Sequence, residues 1–214
     1  MDRYFVIFTI LLLFNSCYNI NIEVGDEYKL PEPQKEGGMG IYEALNLRKS
    51  SRDFNATYEL TDELLSQALW SCYGMNDENH RTVPSGKGWY PYNVYVFRKD
   101  GVYQYLPETH VLTKLKDGDH REITGRQTEL VTSAAVDIVF IGDLKKPFKV
   151  EDLKIKHLAV KFDSGHVTMV LSLFAAANNL KGVVRRNFDS YSILQFLGLD
   201  SNNYEIAISY SLGN

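Results

Sequence analysis

Cysteine is nearly absent from the 214-residue chain, which carries only Cys17 and Cys72. Two thiols cannot form a disulfide framework, and Cys72 falls on the apolar face of an expected helix, so no disulfide is expected. Histidine is also sparse. His80, His110, His120, His157 and His166 show no ligand-type spacing among themselves or with cysteine, which argues against a metal site. No Gly-x-Ser-x-Gly elbow is present, and a hydrolase is disfavoured. The Gly-Lys pair in "PSGKGW" is not a phosphate-binding P-loop, which needs glycine where Arg81 stands and a hydroxyl residue where Gly88 stands. The same stretch fails the dinucleotide fingerprint, whose last glycine would fall on Pro91. A net charge of −4 gives no general reason to expect nucleic acid, so any anion site must be local.

The opening apolar run, Phe5 to Phe14, is too short to span a membrane. Ten helical residues reach about 15 Å, half of a ~30 Å hydrocarbon layer, so residues 1–17 are expected to be an export signal. Its end, "FNSC", resembles a bacterial lipoprotein signal, which makes Cys17 the expected lipidation site and the protein an exported, membrane-anchored lipoprotein of a bacterial envelope. An ordinary secretory signal with a chance cysteine is the alternative. Residues 18–37 read as a tether that becomes an extended arm near Leu30, and residues 38–214 as one domain.

What the sequence does have is apolar content, 44%, with only six prolines, enough for one well-cored domain. "IYEALNL" has helical spacing. "LTDELLSQALWSCYG" is a stronger helix, with Thr61 as its cap and Leu64, Leu65, Ala68, Leu69 and Cys72 on one face. "YNVYVFRKDGVYQYL" predicts two strands joined at Asp100-Gly101. A short helix is expected over Thr124 to Ser133, a buried strand over Ala135 to Ile141, and a long apolar helix from Phe162 to Leu180, opened by Asp163 or Ser164. "GVVR" and "YEIAISY" supply two further strands, with a short helix from Ser190 to Leu197 between them. The fold class is α+β around a mostly antiparallel sheet.

The densest chemistry lies in "LNLRKSSRDF" at the end of the first helix. Cations there interact favourably with the terminal carbonyls of a helix, which alone could explain them. If the chain instead turns extended near Ser50, then Arg48, Ser50 and Arg52 converge on one side at period two, and two forked guanidiniums with a hydroxyl suit a phosphate.

Five stretches, "EALNLRKSSRDF", "HRTVPSGKGWYPYNVYVF", "GVYQYLPETHVLTKL", "FDSGHVTMVLSLFAAANNLKGVVRRNFD" and "AISYSLGN", occur in the order expected of the nitroreductase family of flavin enzymes. The chain resembles that family's small exported bacterial members and its azoline-dehydrogenase relatives from about Leu30 to Asn214. The resemblance implies an FMN-dependent oxidoreductase, a homodimer with each flavin at the subunit interface, and small-molecule electron donors and acceptors. Arg48, Lys49, Ser50 and Arg52 match the family's Arg-x-Ser-x-Arg segment, whose side chains hold the FMN phosphate and ribityl chain. Pro84, Ser85 and Gly86 match the segment passing along the isoalloxazine ring, with Lys87 and Gly88 in the same turn. Gly182 to Asn187, including Arg185, Arg186 and Asn187, match the strand end whose backbone amides face the ring, and Lys87 or Arg185 is the expected cation at its pyrimidine edge. For His166, capping or packing is expected rather than catalysis. Because the flavin carries the hydride chemistry, no catalytic side chain is required. Three departures stand out: Met169 and Val170 replace a frequent Gln-Asn pair, Arg186 replaces a glycine, and the chain stops at "SLGN". The alternatives are a flavin-binding or flavin-free interaction protein that keeps the fold, and an azoline-oxidising enzyme acting on a peptide.

Overall fold

A computed structural model describes residues 26–146 and 150–214. The signal, Cys17 and the first part of the tether lie outside the described residues. Seven strands form one sheet, β1 (Glu27–Lys29), β2 (Tyr92–Arg98), β3 (Gly101–Leu106), β4 (Val111–Asp117), β5 (Val136–Asp143), β6 (Lys181–Arg185) and β7 (Tyr204–Gly213), in the spatial order β1-β4-β3-β2-β5-β7-β6. Every pairing is antiparallel. The helices are α1 (Ile41–Leu47), α2 (Asp62–Tyr73), α3 (Thr128–Ser133), α4 (Leu153–Ala177) and α5 (Ser190–Phe196).

The central strands are apolar on both faces because both are covered. Val94, Val96, Ile138, Phe140, Ile208, Tyr210 and Leu212 join the cluster that contains α2 and α4 side chains. Tyr95, Phe97, Val139 and Ile141 face the other way, onto Ile193 and Leu194 of α5. A bulge in β7 opposite Phe140 and Ile141 shifts the alternation, so that Ile206 joins the α5 side while Ile208 stays on the α4 side.

Several sequence-based expectations hold and several shift. Thr61 caps α2 through its hydroxyl, which accepts from the Leu64 N–H. The hairpin loop is Lys99-Asp100, with Arg98 opposite Gly101, one residue earlier than expected. Gly101 is instead a strand residue pressed by its neighbour, since a Cβ there would meet the Lys116 carbonyl oxygen at 2.7 Å. The helix expected over Thr124 to Ser133 begins only at Thr128, as the six-residue α3, and Thr124 instead ends a separate 3-10 turn over Arg121–Thr124. β4 was not anticipated, its outer half being exposed and charged. The long helix begins at Leu153, not Phe162, and Asp152 caps it by accepting from the Lys154 N–H at 2.8 Å. Asp163 and Ser164 therefore lie inside α4, and Asp163, at 4% exposure, is free to serve another purpose.

The arm is part of the domain. β1 pairs with β4, and Leu30, 1% exposed, enters the main core while its N–H donates to the His110 carbonyl. Burying that side chain contributes about 1.5–3 kcal/mol to holding the arm.

Candidate functional site

After α1 ends, the Arg48 backbone takes an extended conformation (φ −59°, ψ 120°), as the phosphate reading requires. The segment then runs beside the free edge of the sheet, where the Ser51 N–H donates to the Gly182 carbonyl at 3.0 Å. Lys49, Ser50 and Arg52 are exposed, and no hydrogen bond or ion pair engages their side chains among the described residues. Arg48 is half-buried near the Tyr210 phenol, whose pKa burial raises while Ser172 and the Arg48 charge oppose the rise. Beside this cluster lies a hollow of about 270 Å³ lined by Leu47, Lys49, Ser51, Ala176 and Lys181. Four donors thus crowd one end of an edge strand, and no hydrogen bond or ion pair takes their side chains among the described residues.

β6 itself is built in two faces. Gly182 sits on the α4 side, where the Tyr210 ring lies across it, and a Cβ at Gly182 would fall 2.1 Å from the phenolic oxygen. Val184, on that same side, is 37% exposed. The Gly182 carbonyl points outward to Ser51, and Val184 has the same parity, so its N–H and C=O also point away from β7. Nothing among the described residues takes them. Arg186 follows, exposed and without an ion pair among the described residues, and Asn187 accepts from the Arg126 N–H at 2.9 Å.

Arg185 is a correction. Period two turns it inward, on the α5 side of the sheet, where it is 6% exposed. Its guanidinium donates to the Thr124 carbonyl at 2.8 Å and to the Ser211 hydroxyl at 3.1 Å, and lies 3.5 Å from the fully buried Asp137 carboxylate. A side chain held in the interior cannot be the cation at a ligand's edge; of the "RR" pair only Arg186 is available.

The turn from Pro84 to Gly88 is held by α4. The Ser85 hydroxyl donates to Asp163 Oδ2 at 2.5 Å and accepts from the Tyr90 N–H at 2.8 Å, while the Gly86 N–H reaches Asp163 Oδ1 at 3.4 Å. His166 Nδ1, 3.1 Å from the Pro84 carbonyl, pins the other side, in agreement with a packing role. The turn is strained: Lys87 and Tyr90 adopt φ values of 56° and 45°, and Gly88 follows Lys87 at 68°. Lys87 is exposed, its ammonium 5.3 Å from the Trp89 ring. Asp163 was read from the sequence only as a cap, and its role as the receptor for this turn had no sequence signal.

One chain does not bring these two halves together. The turn packs on Asp163, the basic cluster lies near Ala176, and thirteen helical residues between them span about 20 Å.

A seven-stranded antiparallel sheet with α2 and a long α4 on one face and α5 on the other, its edge strand flanked by a basic segment, is the nitroreductase-like fold. The sequence model of the nitroreductase family matches residues 45–214, and the chain belongs to that family. A protein of Methanocaldococcus jannaschii named as a nitroreductase is 26% identical over 170 residues, 73% of this chain and 83% of its own. The crystal structure of a protein from Ralstonia eutropha JMP134, also named as a nitroreductase, superposes with a TM-score of 0.80 at 29% identity, covering 88% of this chain and 89% of that one. Another such protein, from a Desulfovibrio desulfuricans subspecies and crystallised in complex with FMN, shares the fold at a TM-score of 0.59 and 19% identity, covering 83% of this chain and 87% of that one.

Proposed function

We propose that the protein is an FMN-dependent oxidoreductase that passes a hydride from a reduced nicotinamide or another donor to a small organic acceptor. The observation that carries this reading is the free edge of β6: uncommitted basic and hydroxyl donors at one end, then an exposed Val184 with unpaired backbone groups. Such a strip suits a long ligand with an anionic head and a planar, hydrogen-bonding body. FMN has that shape, and relatives of the same fold are crystallised with it.

In this reading Arg48, Lys49, Ser50 and Arg52 hold the phosphate and the ribityl chain. The outward N–H and C=O groups at Val184, with the Arg186 N–H next in the row, orient the polar edge of the ring. Bound FMN would supply the two-electron hydride chemistry, and the protein's part is to fix the ring, exclude water and select what stacks on it. The turn from Pro84 to Gly88 covers the ring of a second copy, because the 20 Å between the two halves of the site prevents one chain from closing it alone. Two helices present the matching surface. Ile41, Tyr42 and Leu45 of α1 are 55%, 85% and 45% exposed, and Leu158, Phe162 and Met169 of α4 are 51%, 71% and 43% exposed. Apolar area of that extent on two adjacent helices fits a two-fold homodimer seam.

The test is anaerobic mixing of FMN-loaded protein with NADH or NADPH, followed by addition of a quinone or nitroaromatic acceptor. Rapid bleaching of the oxidised-flavin absorbance, and its return with the acceptor, are expected. A flavin that binds tightly but is never reduced would leave a binding protein in place of an enzyme. We also propose export and anchoring through Cys17; replacing Cys17 with Ser should move the protein from the membrane to the soluble fraction of its host.

A further inference from the structure

The buried cluster on the α5 side of the sheet plays no part in the site described above, yet it sits directly behind it. Asp137 of β5 and Ser211 of β7 are register partners, and both are 0% exposed. The Ser211 hydroxyl donates to Asp137 Oδ1 and accepts from Arg185, and the Thr124 hydroxyl lies 2.9 Å from Asp137 Oδ2. Arg185 also donates to the Thr124 carbonyl. Gly125 has no side chain because the guanidinium fills that space, with a Cβ falling 1.4 Å from one of its nitrogens. The Arg126 N–H donates to the Asn187 carbonyl. The end of β6 is thereby stitched to residues 124–126 at Arg185 and again at Asn187, and the stitch depends on a carboxylate two strands away. A buried arginine without its carboxylate would be strongly disfavoured, so Asp137 decides whether the stitch closes.

The same residue that is locked inward stands between the two whose backbone groups point outward, Val184 and Arg186. Resting on the FMN reading, we propose that Asp137 is a positioning residue of the cofactor site: through Arg185 it holds the end of β6 so that the Val184 and Arg186 amides are fixed toward the ring. Fixed donors at that edge favour the more negative, reduced ring over the oxidised one, whereas mobile donors follow either.

The experiment compares wild type, Asp137→Asn, Ser211→Ala and Arg48→Ala as FMN-loaded proteins, by equilibrium photoreduction against a reference dye and by FMN titration. Asp137→Asn is expected to lose about tenfold more affinity for reduced than for oxidised FMN, which is a midpoint potential about 30 mV lower for a two-electron couple. Ser211→Ala, a milder change that keeps both charges, should move the potential in the same direction by less and decides the matter if Asp137→Asn fails to fold. Arg48→Ala should weaken both redox forms alike and leave the potential in place. An unchanged potential in a folded Asp137→Asn or Ser211→Ala protein, whatever its melting temperature, overturns the proposal and leaves the FMN reading standing. A wild-type protein that binds no FMN overturns the FMN reading itself. In that case NMR order parameters of residues 184–187 still test the clamp: a drop in Asp137→Asn supports it and unchanged values overturn it.

Discussion

At the scale of single residues, a carbonyl, a carboxylate or a missing side chain decides what each cation can do. Arg48 and Arg52 have no acidic partner among the described residues, and replacing either with Ala should weaken FMN by about 1.5–3 kcal/mol, the scale of a charge-assisted hydrogen bond. Riboflavin, which lacks the phosphate, should bind almost as before; equal losses for both ligands, measured by calorimetry, would make the cluster structural. Arg186 is exposed at the end of the strip. A guanidinium there favours acceptors that carry a carboxylate, so Arg186→Gly should raise the relative kcat/KM for neutral quinones or nitroaromatics over matched anionic ones by about tenfold. An unchanged ratio would place the side chain in solvent. The basic segment was legible from the sequence because its spacing is written there, three cations and two hydroxyls within five positions. Arg185 was not, since a doublet at a strand end does not announce which member the alternation turns inward, and Asp137 carried no local sign of its partner 48 residues away. Asp163 misled for a related reason: an acidic residue before an apolar run has the form of a helix cap, and only the packed turn shows that its oxygens receive Ser85 and Gly86.

Among the elements, the arm that carries β1 is fastened by a relay of neutral groups. Tyr105, His110, Ser66 and the Pro31 carbonyl follow one another, with His110 Nδ1 2.8 Å from the Tyr105 hydroxyl, His110 Nε2 2.7 Å from the Ser66 hydroxyl, and that hydroxyl donating to Pro31 at 2.5 Å. Since Ser66 spends its proton on Pro31, His110 must donate from Nε2 and accept at Nδ1. Burial lowers the His110 pKa below its ordinary value, the nearby Lys29 and Lys35 act in the same direction, and the Pro31 carbonyl and Glu32 oppose. A histidine whose folded pKa is depressed contributes stability that is present above about pH 6.5 and is lost as pH falls toward the folded value. Asp137, pushed up to about 6 by burial, acts with the opposite sign, its contribution being lost as pH rises through about 6. The histidine effect must therefore be read as a difference. The urea midpoint of wild type relative to His110→Gln should fall between pH 7 and 5, and a constant difference would exclude the relay. Most elements could be read from periodicity, but α4 could not be bounded. Its first turns, "LKIKHLAVKF", mix lysines with apolar residues, and the structure leaves Leu153, Ile155, Leu158 and Phe162 exposed, so no buried stripe marks them. β4 escaped for the same reason, with its charged outer half hiding the alternation.

For the whole molecule, the proposed assembly rests on the exposed apolar residues of α1 and α4. The protein should be a symmetric dimer that buries more than about 2,000 Å²; a monomer that binds FMN stoichiometrically, seen by light scattering, would refute this. Composition alone gives no reason to propose a dimer, because exposed apolar residues on a helix look like core until the core is seen to be full without them. The 20 Å along α4 between the Ser85 turn and the basic cluster has a genetic consequence. If each site takes its phosphate donors from one copy and its covering turn from the other, two inactive alleles can rescue each other. A protein with Arg48 and Arg52 replaced and a protein with Asp163→Ala each have two damaged sites as homodimers. Their mixed dimer would combine both lesions in one site and leave the other whole. Co-expressed at equal levels with random pairing, half of the dimers are mixed and about a quarter of all sites are restored, so interallelic complementation near that fraction is the signature of a site shared between subunits.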